Sequence, residues 1–516
     1  MSAERRLQTC SRQMNRQESK GQLGETTGQN YALDHHCGVL DLVASRIYPA
    51  YCWEFDPPAA GCGVSGFRHQ PTERTARRLD PLRQRAAILP PKNRKHGSGP
   101  RQFRRFFARL GPGLITGAAD DDPSGISTYS VTGAAFGYAP LWTALFSFPL
   151  MVAVQLMCAR LGMVTGEGLA GVIRRQYSRW VLWGACALLV IANTVNIGAD
   201  LGGMAKVTEM MTGVRSVYWT PLYALLIGSF LIWWSYNAIA RIFKWMTLIL
   251  FSYVFAALLA KPDWVAVIRA TFIPHVEWSG VYWATLVGIF GTTISPYLFF
   301  WQASQEVEDE REHGELTVEA RKGATNEELR ESRTDVVTGM FFSNLIMYFI
   351  ILTTAATLHA HGKTTISTAQ DAAEALRPLA GNGAYWLFSL GLIGAGMLGV
   401  PVLAGSSAYA VAEGAAWRGS LADRPSLSRG FYAVIAIGLL LGLALDFMGF
   451  NAVSMLFWSA VLNGVLAPPL VVIVLLLTSN QHIMGTRSNP LWLAGLGWLT
   501  VAVMTAASVA MFATWK

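Results

Sequence analysis

Long apolar stretches recur along the chain from Phe106 onward, separated by shorter polar segments. A helix needs about 17–25 apolar residues to cross a bilayer, and these stretches are long enough. The pattern predicts eleven membrane-spanning helices, at 111–132, 139–160, 181–207, 220–238, 242–260, 281–303, 336–358, 384–412, 431–447, 452–477 and 490–513. The sequence therefore predicts an all-α, multi-pass membrane protein.

The first predicted span contains residues that a continuous membrane helix would not carry. The sequence AADDDPSGISTYS at 118–130 places Asp120, Asp121 and Asp122 directly before Pro123 and Gly125. Proline removes a backbone donor and clashes with the preceding turn, and glycine weakens a helix further. An ionised aspartate at the bilayer centre is costly unless it is paired, so the segment predicts an unwound stretch that meets a cation.

The sixth predicted span has a matching interruption. Its sequence GIFGTTISPYLFFWQ places Gly291, Thr292, Ser295 and Pro296 in the middle of the span. If spans 1–5 and 6–10 form two repeats, the two interrupted helices correspond, which is the best sequence indication of a midplane binding site. We expect Asp122 to belong to this site. For Asp120 and Asp121 a second interpretation is open, in which one caps a half-helix or faces water.

Composition agrees with a membrane protein. Hydrophobic residues make up 52% of the 516 residues and charged residues only 14%, against about 25% in soluble domains. The six cysteines form no close CxxC pair, so free thiols are expected rather than a disulfide framework or a zinc site.

The positive charge is distributed unevenly. Of 41 Lys and Arg residues, 19 lie within the first 109 residues, a region without a long apolar run that we predict to be a disordered tail without a signal peptide. With this tail inside, the inner loops carry fifteen Lys and Arg residues and the outer segments six. This bias predicts a cytoplasmic N-terminus and an outer C-terminus.

At the interrupted helices the chain resembles the natural resistance-associated macrophage protein (Nramp) family of divalent-metal transporters, over roughly residues 104–512. The resemblance is carried by GPGLITGAADDDPSG at 111–125, FGYAPLW at 136–142, NIGADLGGMAKVTEMMTG at 196–213 and GTTISPYLFFWQAS at 291–304. It implies a LeuT-like fold with two inverted five-helix repeats and an eleventh helix. It also implies a metal ion as substrate, no bound cofactor and no enzymatic activity.

The resemblance places family roles on particular residues. Asp122 matches the metal-binding aspartate of the first helix, and Thr292 stands where a backbone carbonyl binds metal. Asp200 matches the third-helix aspartate of the proton path. Beside these, Ser124 offers a hydroxyl to the substrate, and Tyr297 stands at a position implicated in proton movement.

Three positions depart from the family pattern. Gly125 replaces a metal-binding Asn, Ser295 replaces a Met, and Tyr297 replaces a His. Without the soft thioether, the remaining ligands are hard oxygens, which favour Mg²⁺ or Mn²⁺ over Fe²⁺ or Cd²⁺. A tyrosine cannot exchange protons at neutral pH as histidine can, which favours uniport over proton-coupled symport. Gly203 also stands where many members have Glu.

Other polar residues have simpler interpretations. Glu413 is expected to be a solvated helix end, and His359 and His361 to lie in a solvated outer loop rather than to capture metal. Lys206 and Glu209 are expected at the outer interface. Two roles are open for Asn193, Thr194 and Asn196: they line a water path with Asp200, or they bond neighbouring helices. Asn463 either faces the cavity or makes a helix–helix hydrogen bond.

Two other functions stay open at this point. One is a LeuT-like carrier of a small organic cation or amino acid, in which Tyr129, Tyr297 and Phe299 contribute to an aromatic box. The other is a Mg²⁺-dependent membrane enzyme, which would need a second acidic cluster that the other spans do not offer.

The predicted organisation has six parts. These are a cytoplasmic tail at 1–103, a first five-helix repeat at 104–260, an outer loop and broken sixth helix at 261–305, a charged cytoplasmic loop at 306–335, the rest of the second repeat at 336–478 and the eleventh helix at 479–516. The expected partners are the metal ion and the lipid bilayer of the cell's inner membrane, without nucleic acid. The sequence does not specify the oligomeric state.

Overall fold

A computed structural model of the protein describes residues 112–233, 248–315 and 317–515. The predicted tail at 1–103 and the middle of the fourth-to-fifth span region lie outside these ranges. The described helices are α1 Pro112–Asp120, α2 Pro123–Phe136, α3 Trp142–Thr165, α4 Leu169–Gln176, α5 Arg179–Thr212, α6 Ser216–Trp233, α7 Ser252–Leu259, α8 Trp264–Phe272, α9 Gly280–Thr293, α10 Pro296–Glu312, α11 Val318–Arg321, α12 Asn326–Thr357, α13 Ala369–Ala373, α14 Arg377–Ala380, α15 Ala384–Gly414, α16 Arg429–Asp446, α17 Ala452–Ser479, α18 Gln481–Met484 and α19 Leu491–Thr514.

Most of these helices have the length and composition of membrane spans. Within the described ranges, nine helical segments are long and apolar enough to cross a membrane. The two halves of the first helix and the apolar segment Ile249–Leu259 are shorter. The number of eleven spans stays a prediction. Residues 234–247, which lie outside the described ranges, belong to the fourth and fifth predicted spans.

Both predicted helix interruptions are present. The first helix stops at Asp120 and restarts at Pro123, and the sixth stops at Thr293 and restarts at Pro296. In each case proline occupies the first position of the new helix, where its missing N–H has no intrahelical acceptor to lose. The two prolines therefore mark where the second half of each broken helix begins.

Helix α1 packs closely on α12 through glycine. An ideal Cβ on Gly117 would lie 2.4 Å from the carbonyl carbon of Gly339, so only glycine permits this backbone contact. At the start of α1, the carboxylate of Asp335 accepts hydrogen bonds from the amides of Gly113, at 2.6 Å, and Leu114, at 3.2 Å. These contacts satisfy N-terminal donors of α1 and hold it against α12.

Much of the charged segment 306–335 is helical. Helix α10 continues to Glu312 and α12 begins at Asn326, so the connection between them is shorter. Glu306 lies in the buried part of α10 and accepts hydrogen bonds from Gln302 and Ser332, each at 2.9 Å. Side-chain partners on adjacent turns and on α12 make this buried carboxylate tolerable.

Candidate metal centre

Asp122 caps the second half of the broken first helix. It has an extended backbone (φ −71°, ψ 170°), and its Oδ1 accepts hydrogen bonds from the amide of Gly125 at 2.8 Å and the hydroxyl of Ser124 at 2.6 Å. The side chain is buried, with 2% of its surface exposed. Capping fixes one carboxylate oxygen and directs the other away from α2.

The second oxygen of Asp122 faces helix α5. Asn196 donates from its Nδ2 to Asp122 Oδ2 at 2.8 Å. One turn further along α5, Asp200 is buried close to the Asp122 carboxylate and the Ser124 amide, and both its oxygens lack a hydrogen-bond partner of ordinary geometry. Helix α15 covers this group closely, because an ideal Cβ on Gly399 would lie 3.0 Å from the Cβ of Asp122.

Asp120 and Asp121 are buried in the first break as well. Both face helix α12, where the Ser343 hydroxyl donates to Asp120 at 2.5 Å and lies 3.4 Å from Asp121. Their exposed fractions are 0% and 1%, so the interpretation that one faces water is wrong. Neither caps α2, because Asp122 occupies that position. The unwound stretch thus places three consecutive carboxylates in the protein interior.

The break in the sixth helix presents backbone carbonyls and a hydroxyl. Ser295 precedes α10 in an extended conformation, and its hydroxyl donates to the carbonyls of Gly291 at 2.8 Å and Thr292 at 2.6 Å. The Thr292 hydroxyl donates to the carbonyl of Ile289 at 2.9 Å. Both hydroxyl protons are therefore directed to the end of α9, which leaves oxygen lone pairs for another partner.

Tyr297 joins the two breaks. Its hydroxyl donates to the carbonyl of Ala119 at 3.0 Å, which is one of the carbonyls freed at the end of α1. Its hydroxyl also lies in the electrostatic neighbourhood of Asp122, Asp120 and Asp200. The structure thus brings Asp122, Ser124, Gly125, Asp200 and Tyr297 to one buried region.

The available ligands are oxygens of several chemical types. Across the residues that the structure describes, no three His, Cys, Asp or Glu side chains converge as a metal-binding cluster. None of the four buried aspartates of this region has an ion-pair partner among the described residues. A cation here would combine carboxylate oxygens with amide, hydroxyl and backbone oxygens, a set that suits hard ions.

Comparison with known protein families identifies the family of this chain. The family model described as natural resistance-associated macrophage protein-like (Nramp) matches residues 113–514. The chain belongs to the Nramp family.

Relatives and solved structures support this assignment. The chain is 26% identical over 428 residues to the divalent metal cation transporter MntH of Deinococcus radiodurans, covering 79% of this chain and 90% of that protein. It is 25% identical to MntH of Klebsiella pneumoniae, covering 80% and 95%. A manganese transporter structure from Eremococcus coleocola aligns at a TM-score of 0.63 with 19% identity, covering 82% and 90%. The all-α transporter fold that the resemblance implied is confirmed.

In this Nramp protein, the polar face of α5 is the feature that sequence reasoning placed least well. Asn193 donates at 2.9 Å to the Leu403 carbonyl of α15, so it bonds a neighbouring helix. Thr194 bonds to its own helix through the Val190 carbonyl. Asn196, predicted only as a water-path or helix-bonding residue, contacts Asp122 directly. Its spacing of four residues from Asp200 was the available signal, because that spacing puts both on one helix face.

The remaining polar predictions have mixed outcomes. Lys206 and Glu209 form a partly exposed ion pair at 3.0 Å. His359 and His361 do not act together. The Nδ1 atom of His359 contacts the Ala134 carbonyl, and the Nδ1 atom of His361 contacts the Thr357 carbonyl. Asn463 is buried, and none of the described residues hydrogen-bonds to its amide oxygen.

Glu413 is not the solvated helix end that the sequence suggested. It accepts hydrogen bonds from the Ser304 hydroxyl at 2.9 Å and the Gly171 amide at 3.2 Å. It lines a cavity of about 660 Å³ together with Glu167 and other charged residues. Burial raises the pKa of Glu167, although Arg175 at 2.7 Å opposes the shift. The carboxylates of this cavity are held by specific partners.

Proposed function

We propose that this Nramp-family protein is a secondary transporter that moves divalent metal cations across the membrane by alternating access. The relatives named divalent metal cation transporter support this function. The observation that carries it is the pair of buried carboxylates at the broken first helix, Asp122 and Asp200, which have no ion-pair partner in the described ranges. A divalent cation would balance the charges of these two carboxylates.

The proposed substrate site lies between the two helix breaks. Asp122 is its central ligand, prepared by the Ser124 hydroxyl and the Gly125 amide that fix one of its oxygens. Ser295 contributes its hydroxyl oxygen and Thr292 its backbone carbonyl, while Tyr297 lies beside them and binds the end of α1. Asp200 belongs to the site or to a water path that leads from it.

We also propose that the site favours Mg²⁺ or Mn²⁺ over softer ions. The described ligands supply oxygen only, since Ser295 and Gly125 stand where the family has a thioether and an amide. Hard cations prefer such ligands, and Mg²⁺ in particular keeps several of its waters when it binds. A carrier for this ion therefore needs few direct protein ligands.

Alternating access requires the halves of the broken helices to move. Helix α1 is held against α12 by the Gly117–Gly339 contact and by Asp335 at its N-terminus. We propose that release of this packing opens one side of the site. The bias of Lys and Arg residues supports a cytoplasmic N-terminus, an outer C-terminus and location in the cell's inner membrane.

Uptake into proteoliposomes tests this function. Vesicles containing the full-length protein and an internal pH dye are given Mg²⁺, Mn²⁺ or Cd²⁺ from outside. We expect uptake of Mg²⁺ and Mn²⁺, with little acidification if the protein is a uniporter. Asp122→Asn should abolish uptake, whereas Asp263→Asn, at an exposed helix cap, should retain it. Normal uptake by the Asp122 variant would refute the site.

A further inference from the structure

Helix α5 carries a line of buried polar residues that points at the first helix break. Asn193, Asn196 and Asp200 follow one another at spacings of three and four residues, so they share one helix face. Each has 0% of its surface exposed. Within the part of the chain that the structure describes, no hydrogen bond of ordinary geometry reaches the amide oxygens of both asparagines or the carboxylate oxygens of Asp200. Buried acceptors without partners are rare and costly, so such a row indicates an ion or water.

Asn196 is the member of this line that contacts the candidate metal centre. Its amide nitrogen donates to Asp122 Oδ2 at 2.8 Å, on the carboxylate oxygen that is not used to cap α2. This N–H supplies the positive end of a dipole to that oxygen. A carboxamide carries donor and acceptor on the same group, so a rotation of the side chain presents its oxygen to the same place.

Helix α2 itself contains no side-chain amide that could serve the site. Gly125 has no side chain, and the hydroxyl of Ser124 already donates to Asp122. An ideal Cβ on Gly125 would lie 3.4 Å from the Tyr129 ring and 3.5 Å from the Asp120 carbonyl, which is ordinary contact. A Cβ atom is therefore tolerated at position 125.

We propose that Asn196 supplies an amide-oxygen ligand to the transported cation and that Asp200 supplies the second carboxylate. Helix α5 would then complete the site that Asp122 begins, in place of an amide at position 125. This inference rests on the proposed function. Two carboxylates balance the charge of one divalent cation, which accounts for the burial of Asp200 beside Asp122 without a basic partner.

Binding of Mn²⁺ to the full-length protein in detergent, measured by calorimetry, tests the proposal. We expect Asn196→Leu to weaken binding about 10- to 100-fold. Thr194→Val is the matched control, because the Thr194 hydroxyl bonds only to its own helix and should be dispensable for Mn²⁺. Wild-type affinity in a folded Asn196→Leu protein would overturn the assignment. If the Leu variant does not fold, Asn196→Ala removes the amide with less bulk and should show the same loss.

Asn196→Asp separates a ligand from a residue that only positions Asp122. As a ligand, the carboxylate should bind Mn²⁺ at least as tightly as the wild type does. If Asn196 only donates a hydrogen bond to Asp122, the substitution removes that N–H and adds a negative charge that repels the Asp122 carboxylate. Mn²⁺ binding would then be as weak as in Asn196→Leu. That second result would overturn the proposal.

A double variant that moves the side-chain amide from α5 to α2 gives a further check. Adding Gly125→Asn to Asn196→Leu should restore Mn²⁺ affinity, and a folded double variant without recovery would contradict the exchange of one amide for the other.

Failure of the proposed function would give different results. In that case the wild type binds no divalent cation, or Asp122→Asn binds as well as the wild type. If Asp122 matters and the Asn196 variants bind normally, only the present inference fails.

Discussion

The backbone contact between α1 and α12 allows a prediction with a defined magnitude. In Gly117→Ala, the new Cβ would lie 2.4 Å from both the carbonyl carbon and the carbonyl oxygen of Gly339. Ordinary van der Waals contact begins at 3.4 Å, so the two helices must separate by about 1.0 Å. Because the neighbouring atoms belong to backbone, no side-chain rotation can relieve the contact.

The cost follows from overpacking. Inserting a methyl group into a closely packed contact destabilises a protein by about 1–3 kcal/mol. The higher helix propensity of alanine opposes this loss by up to about 1 kcal/mol. Gly184→Ala is the matched control, since it lies on helix α5 with no atom within 4 Å of its ideal Cβ. The stability difference between the two variants should therefore be about 1–3 kcal/mol, or about 5- to 150-fold in an equilibrium constant.

Equilibrium unfolding of the full-length protein in mixed detergent micelles measures this difference. Uptake of Mn²⁺ by the same variants in proteoliposomes reports on the site, because α1 ends at the Ala119 carbonyl that Tyr297 binds. We expect Gly117→Ala to be less stable than Gly184→Ala and to take up Mn²⁺ more slowly. Gly184→Ala should match the wild type in uptake and be more stable than it by up to about 1 kcal/mol. Equal stability and equal uptake of the two variants would refute the argument that α1 must touch α12 through glycine.

Two further predictions concern the sixth-helix break. Ser295→Met adds a soft thioether beside the Thr292 carbonyl and should raise Cd²⁺ uptake relative to Mg²⁺, as measured in competition assays; an unchanged ratio would contradict the hard-ligand argument. Tyr297→Phe leaves the Ala119 carbonyl buried without its partner, which costs about 1–3 kcal/mol, and should slow uptake. Tyr432→Phe removes a hydroxyl that bonds the Asp423 carbonyl instead, and it should leave uptake unchanged.

Sequence patterns predicted the helix breaks because their cause is local. Pro123 and Pro296 each remove a backbone donor and follow directly on polar residues, so the interruption can be placed to within a few residues. Proline alone is not sufficient, because Pro149 and Pro401 lie inside continuous helices. The apolar lengths likewise predicted the membrane helices. Their ends were less accurate, as at α10, because polar residues such as Glu306 are accommodated by partners on other helices that the local sequence does not reveal.

The composition of the site was harder to predict, because it depends on which helices meet. Family resemblance indicated Asp122, but not that Asn196 of α5 reaches it at 2.8 Å. Nor did it indicate that Asp120 and Asp121 turn toward Ser343 of α12. These contacts join residues far apart in the chain, and an isolated sequence carries no direct signal for them.

A contrast between two groups of carboxylates supports placing cation binding at the first helix break. In the charged cavity near α4 and α15, Glu167 pairs with Arg175 at 2.7 Å and Asp423 with Arg418 at 3.0 Å. Hydrogen bonds from Arg418 and Ser428 hold the pKa of Asp423 below its usual value, against the opposing effect of burial. An arginine thus neutralises each of these two carboxylates. At Asp122 and Asp200 the described residues supply none, although burial there is more complete. A site that must accept a cation and release it again cannot hold a permanent basic partner, because that partner would compete with the substrate.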